Sequence, residues 1–375
     1  MVVRLRSLTP LLVLVLSACS IGLEYDPIQM ERPSNADGTN LPQPGVITAA
    51  EWNDADNWDF WLDLHANHAE LAQAIEDWEL DAIHRHPSTV VDPAGTPIIN
   101  ARVRLINDVE ETLWETRTNN QGQVDLWWSL MQTQGKATQV RVLYGTEEKS
   151  WDINTLPEQL ALESRALDPD LVQVMFVIDA TGSMGDELEY LKVELEDVID
   201  RVDDAHTLET AALLYRDVDD DFLTTGSDFT SETAQTRQFI NAHTAAGGND
   251  YPEAVDKALQ VAVEGMSWRY DARTRLMFLL LDAPPHNNAQ AIDILHDSVK
   301  RAAAQGITLI PIAASGTDQN TEFLLRMMAL ATSGTFVFIT DDSGVGNEHL
   351  EPTVGEFQVE YLNDLLVRLI QKYSN

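Results

Sequence analysis

Leu171-Val172-Gln173-Val174-Met175-Phe176-Val177-Ile178-Asp179-Ala180-Thr181-Gly182-Ser183-Met184 is the stretch whose reading decides the fold of this chain. Leu171 to Ile178 is an apolar run with no polar face, the pattern of a strand buried on both sides of a sheet. The run stops at Asp179, and an amphipathic helical pattern follows from Glu187 to Val202. A carboxylate at the strand end, with hydroxyls at Thr181 and Ser183 one turn onward, offers three hard oxygen donors converging beside a helix start.

The same alternation continues to the C-terminus. Strands are predicted at Thr210 to Tyr215, Arg275 to Leu281, Thr308 to Ala313 and Thr335 to Ile339. Helices are predicted at about Ser231 to His243, Pro252 to Glu264, Ala289 to Gln305, Thr321 to Ala331 and Phe357 to Gln371. Apolar strands separated by helices predict an α/β fold with a doubly wound, largely parallel sheet over residues 170–375, whose ligands bind at the carboxyl ends of the strands.

Asp179-Ala180-Thr181-Gly182-Ser183-Met184 resembles the Asp-x-Thr/Ser-x-Ser start of the metal-ion-dependent adhesion site of von Willebrand factor type A domains. Tyr215-Arg216-Asp217, Gly247 to Glu253 and Asp282-Ala283-Pro284-Pro285-His286 are similar to further segments of one variant of that family. The resemblance implies a divalent cation, Mg²⁺ first with Ca²⁺ or Mn²⁺ as alternatives, held by Asp179, Thr181, Ser183 and Asp282. It also implies a protein partner that completes the cation's shell, with a carboxylate as one such group. Where adhesion-type members present a threonine, this chain has Gly247-Gly248-Asn249-Asp250, which makes Asp250 the fifth candidate ligand. A third carboxylate favours tighter metal binding and weakens the pull on an external acid. Asp250 also suits a helix N-cap ahead of Pro252.

Upstream, residues 88–155 alternate apolar and polar positions between turn signals such as Asp92-Pro93-Ala94-Gly95 and Asn119-Asn120-Gln121-Gly122, predicting a small β-sandwich. These segments are similar to carboxypeptidase regulatory-like, or transthyretin-like, modules, which implies a spacer or binding surface. Residues 51–87 read as an aromatic segment followed by a helix from Leu62 to about Ile83. His65, His68, His84 and His86 in that region lack matching acidic or Cys partners and read as surface or packing histidines.

Residues 1–18 read as a secretory signal with Arg4 and Arg6 ahead of an apolar run, and residues 19–50 as a tether. Leu16-Ser17-Ala18-Cys19 resembles the bacterial lipobox, and Cys19 is the only cysteine in the chain. A disulfide framework is thereby excluded and Cys19 becomes the candidate lipidation site, anchoring an exported chain to a membrane. Ser20 resembles the outer-membrane sorting pattern of Gram-negative lipoproteins. A formal net charge of −37 excludes nucleic acid as a natural partner.

The expectation is therefore a binding protein and not an enzyme. An alternative is a structural lipoprotein whose metal only braces the fold. A hydrolase rival is less favoured: Thr181 to Gly185 approximates a nucleophile elbow with Ser183, Asp250 and His286 in triad order, but Thr181 stands where the elbow needs glycine. The acidic run Asp217 to Asp221 lacks EF-hand spacing and is expected to be a solvated loop.

Overall fold

The computed structural model describes residues 43–131, 135–202, 206–248, 251–346 and 348–375. The signal segment, Cys19 and the tether as far as residue 42 lie outside them, as do Asn249 and Asp250. In chain order the elements are β1 (Thr48–Trp52), α1 (Trp58–Asn67), α2 (Ala69–Trp78), β2 (Arg85–Val91), β3 (Arg102–Asn107), β4 (Thr112–Arg117), β5 (Gln123–Trp127), β6 (Ala137–Tyr144), β7 (Glu147–Asp152) and β8 (Gln159–Ala161). There follow β9 (Leu171–Asp179), α3 (Leu188–Arg201), β10 (Thr207–Tyr215), β11 (Thr224–Thr230), α4 (Thr233–Asn241), α5 (Val255–Glu264), β12 (Thr274–Leu281) and α6 (Ala289–Gln305). The chain ends with β13 (Ile307–Ala313), α7 (Gln319–Ala331), β14 (Phe336–Ile339), β15 (Glu360–Tyr361) and α8 (Leu362–Ser374).

The main sheet has eight strands in the order β11-β10-β9-β12-β13-β14-β1-β15. Strands β10, β9, β12, β13 and β14 run parallel, so the α/β expectation holds, with β9 in the interior. Every residue of β9 is buried. Val172, Val174, Phe176 and Ile178 pack with α3 and α8, whereas Met175 and Val177 join the core that includes α5 and α6. Successive side chains point to opposite faces, which is why this strand is apolar throughout.

Several elements differ from the sequence expectation. Residues 48–50, read as the end of the tether, belong to β1, which pairs antiparallel with both β14 and β15. The helix expected from Leu62 to Ile83 is two helices broken at His68, which is extended (φ −99°, ψ 117°). Its ring packs edge-on against Phe323 of α7 at 5.3 Å. The strand β11 follows the acidic run and pairs antiparallel with β10.

The sandwich is formed by the sheets β5-β2-β8 and β4-β3-β6-β7. Strand β8 lies beyond residue 155 and pairs parallel with β2, so the module extends further than its sequence boundary. The sandwich and the α/β domain share one hydrophobic core: Leu126 and Trp127 cluster with Leu295 of α6 and Leu324 of α7.

Candidate metal site at the strand ends

Strands β9 and β12 are parallel neighbours in which Ile178 pairs with Leu280. That register brings their C-terminal ends together, with Asp179 on one and Asp282 immediately after the other. Asp179 and Thr181 are fully buried, Asp282 is nearly so, and Ser183 is exposed. One Asp179 oxygen, Oδ1, accepts from the Thr181 amide at 2.8 Å and from the Thr181 hydroxyl at 2.6 Å. The other, Oδ2, is buried with no hydrogen-bond partner. The Thr181 and Ser183 hydroxyl oxygens are 3.1 Å apart.

Two carboxylates this close oppose each other's ionisation. Burial, and then the charge of Asp282, hold Asp179 well above the usual carboxylate range. Tyr215, which pairs with Asp179 across β10 and β9, is buried beside it, and its phenol is pushed up first by burial and then by Asp179 and Asp282.

Glu253 also belongs to this cluster, although the sequence reading quoted it only as part of a motif. It is 3% exposed, and its Oε2 has no hydrogen-bond partner. Burial, followed by the charges of Asp179, Asp217, Asp282 and Asp220, pushes it up to about 9. Its amide donates to the Pro284 carbonyl at 2.9 Å, which ties it to the segment carrying Asp282. The available sequence signal was Pro252, which fixes the backbone φ just before this carboxylate.

The glycines of the intervening loop are steric requirements. Gly247 and Gly248 have φ of +82° and +66°. The Gly247 carbonyl accepts from the Gly182 amide at 3.0 Å, and the Gly248 amide donates to Asp220 Oδ2 at 3.0 Å. A Cβ on Gly248 would lie 2.6 Å from Glu253 Oε1 and 3.0 Å from Thr181 Cβ. Gly248→Ala is therefore expected to cost about 1–3 kcal/mol, from the left-handed backbone and the displaced neighbours. Urea denaturation checks this, and a loss below about 0.5 kcal/mol would contradict the packing described.

The acidic run is divided by burial. Asp217 is 4% exposed and accepts or shares a proton with His286 Nε2 at 2.8 Å, while Asp219 and Asp221 are exposed as expected of a solvated loop. Asp217 was missed as an interior residue because the run reads as uniformly polar. His286 orients Asp217, in keeping with a structural role, and Ser183 has its hydroxyl on Thr181.

On the same sheet end a second acid–base group braces the start of α3. His349 has Nδ1 2.8 Å from Asp341 Oδ1 and Nε2 3.0 Å from Glu187 Oε1. Burial lowers its proton affinity, but the two carboxylates more than offset this and hold the imidazole above its ordinary value. The resulting stabilisation is fully present below the unfolded histidine value of about 6.5 and is lost as pH rises through the higher folded value. His349→Gln should thus destabilise most near pH 6 or below, with the gap narrowing as the solution is made alkaline. Thermal unfolding of both chains across pH reads this directly; a gap that widens with pH would contradict it.

All these donors are oxygens, and two buried carboxylate oxygens are without partners, so the residues present fit a hard divalent cation. Among the described residues no three His, Cys, Asp or Glu side chains gather into a group able to hold a metal by themselves. The set depends on the Thr181 and Ser183 hydroxyls, and candidate Asp250 lies outside the described residues.

A doubly wound sheet with an acid-and-hydroxyl cluster at its strand ends defines an α/β domain of one recognisable class. Residues 173–351 of this chain match the family model of the von Willebrand factor type A domain. The chain is similar to an ariadne-like RING finger protein of Acanthamoeba polyphaga mimivirus, 30% identical over 124 residues, which cover 33% of this chain and 12% of that protein. It is similar to the alpha-protein kinase vwkA of Dictyostelium discoideum, 24% identical over 200 residues, covering 52% of this chain and 31% of that one. The chain thus spans less than a third of the length of either relative. Among solved structures, it is similar to the conserved hypothetical protein BatB from Bacteroides thetaiotaomicron, with 14% identity and a TM-score of 0.39, covering 54% of this chain and 98% of that one. It is also similar to an aerotolerance-related membrane protein from Bacteroides fragilis, with 14% identity and a TM-score of 0.37, covering 54% and 99%. No described helix is long and apolar enough to cross a membrane.

Proposed function

We propose that this chain is a binding protein and not an enzyme: a metal-dependent A domain that grips another protein while a lipid on Cys19 holds it at a membrane. The observation that carries this reading is the buried Asp179 carboxylate, one oxygen tied to Thr181 and the other without a partner, beside Asp282 at the end of a parallel sheet. A bound Mg²⁺, with Ca²⁺ or Mn²⁺ as alternatives, would supply an electrophilic point for an oxygen of the partner. Asp179 and Asp282 would supply the charge, Thr181 and Ser183 the hydroxyl donors, and Asp250 and Glu253 further carboxylate. So many acids neutralise the cation, which favours a neutral oxygen of the partner at least as much as a carboxylate.

The surroundings support a protein partner. Val218 and Tyr251, 52% and 45% exposed, flank the acidic cluster next to Asp217 and Glu253 and supply apolar contact around a polar centre. The Tyr251 hydroxyl donates to the Gly316 carbonyl at 3.1 Å, so this ring is held in place before any partner arrives. The hydrogen bonding supports binding over hydrolysis in one respect: the Ser183 hydroxyl lies 3.1 Å from that of Thr181 and, among the described residues, makes no hydrogen bond to His286.

The test uses the soluble Cys19→Ser chain, immobilised and exposed to envelope proteins. Capture should require divalent cation, fail with chelator and fail in Asp179→Ala. Capture unaffected by either change would overturn the metal-dependent reading. A fluorophosphonate should leave Ser183 unlabelled, and labelling with chelator-insensitive ester hydrolysis would restore the enzyme. The unaltered chain should fractionate with membranes, whereas tight attachment of Cys19→Ser would refute the anchor.

A further inference from the structure

Where the sandwich meets the α/β domain, three arginines line a space of about 30 Å³: Arg117 at the end of β4, and Arg273 and Arg275 around the start of β12. No Asp or Glu lines it. Arg273 has a counter-ion in Asp168. Among the described residues Arg117 and Arg275 form no ion pair, and both donate to one neutral acceptor, Asn100 Oδ1, at 3.2 and 3.3 Å. Their other acceptors are backbone carbonyls, of Arg269, Tyr270 and Ala272 for Arg275 and of Ala304 and Asn100 for Arg117.

Arg275 is 3% exposed, and burial together with the charge of Arg117 pulls its guanidinium down to about 9. Two guanidiniums sharing one amide oxygen in a protein interior are costly unless charge of the other sign is near. The Ala304 carbonyl belongs to the last turn of α6, and the Tyr270 ring lies 5.7 Å from the Arg117 guanidinium. Glu115 acts on Arg117 and Asp271 on Arg275 from beyond ion-pair distance, and a helix C-terminus adds about half a negative charge, so no carboxylate stands between the two cations. Gly306 permits the approach: a Cβ there would stand 3.0 Å from Arg117 Cβ and 3.2 Å from Arg275 Nη1. All this occurs in a chain with a formal charge of −37, where carboxylates are abundant and yet none lines this space.

We infer that this space holds one small monovalent anion, a halide, which Arg117 and Arg275 bind as part of the folded structure. The volume suits a single particle about the size of a water molecule and excludes phosphate esters and larger organic acids. The anion would tie the sandwich to the A domain by neutralising a space whose lining holds no carboxylate, and its effect would be on stability at ordinary salt.

The full chain is compared in sodium chloride and in sodium gluconate at equal ionic strength. The unfolding midpoint should be higher in chloride by about 1–3 °C, and the gap should close in Arg117→Gln. The ³⁵Cl resonance should be broadened by the unaltered chain more than by Arg117→Gln. Equal midpoints in the two salts with no excess broadening would overturn the inference and leave a water molecule in the space. Should Arg117→Gln fail to fold, crystals of the unaltered chain grown in bromide decide the question. Anomalous density between Arg117 and Arg275 is expected, and its absence would sink the proposal.

Discussion

Arg326→Met is expected to lower the unfolding free energy by about 3–5 kcal/mol, because it strands two buried carboxylates. Arg326 is fully buried in α7 and pairs with Asp54 through two hydrogen bonds, of 2.9 and 2.7 Å, and with Glu322 at 2.7 Å. Its guanidinium also lies over Trp61 at 5.1 Å and donates to the Thr353 carbonyl. Methionine preserves much of the apolar stem, so the loss isolates the charge. Asp54→Ala should cost less, since Arg326 and Glu322 remain as a neutral pair, although Trp52 Nε1 then loses its acceptor. Urea titrations of the three chains rank these effects, and equal losses in the two variants would contradict the argument. The same network ties Asp54 to α7, so Arg326→Met should also speed proteolysis near Asp54.

The second large effect is a reversal of sign at the strand ends. Asp179→Asn should weaken divalent cation binding by more than about 100-fold, because it removes the carboxylate on which the hydroxyls converge. In chelator the same variant should be more stable than the unaltered chain, by about 1–3 kcal/mol, because a buried negative charge facing Asp282 and Glu253 is gone. A cavity or fold defect would destabilise in both conditions. Thermal unfolding with and without Mg²⁺ separates the two, and an Asp179→Asn chain less stable than its parent in chelator would count against a repulsive acid cluster.

What was legible in the sequence was whatever a local pattern encodes. Leu171 to Asp179 announced a strand buried on both faces, and Asp179-x-Thr181-x-Ser183 announced converging oxygens at its end. Strand β1 was not legible. Its five residues pair with Ile339 and Tyr361, some three hundred positions away, and no short-range pattern distinguishes them from a tether. Asp217 and Glu253 were hidden for a different reason. Charged residues are read as solvated by default, and only the tertiary fold reveals that Glu253 is buried beside the charges of Asp179 and Asp282 and that Asp217 is buried against His286. The break at His68 was likewise not legible, since no Gly or Pro marks it between Leu62 and Ile83.

The central claim is that Asp179, Thr181, Ser183 and Asp282 hold a divalent cation through which another protein is bound. Calorimetric titration of Mg²⁺ into the chelator-stripped Cys19→Ser chain tests its first half most directly. One saturable site per chain, lost in Asp179→Asn, is the result expected. Absence of saturable binding, or a site that survives Asp179→Asn unchanged, would contradict the account.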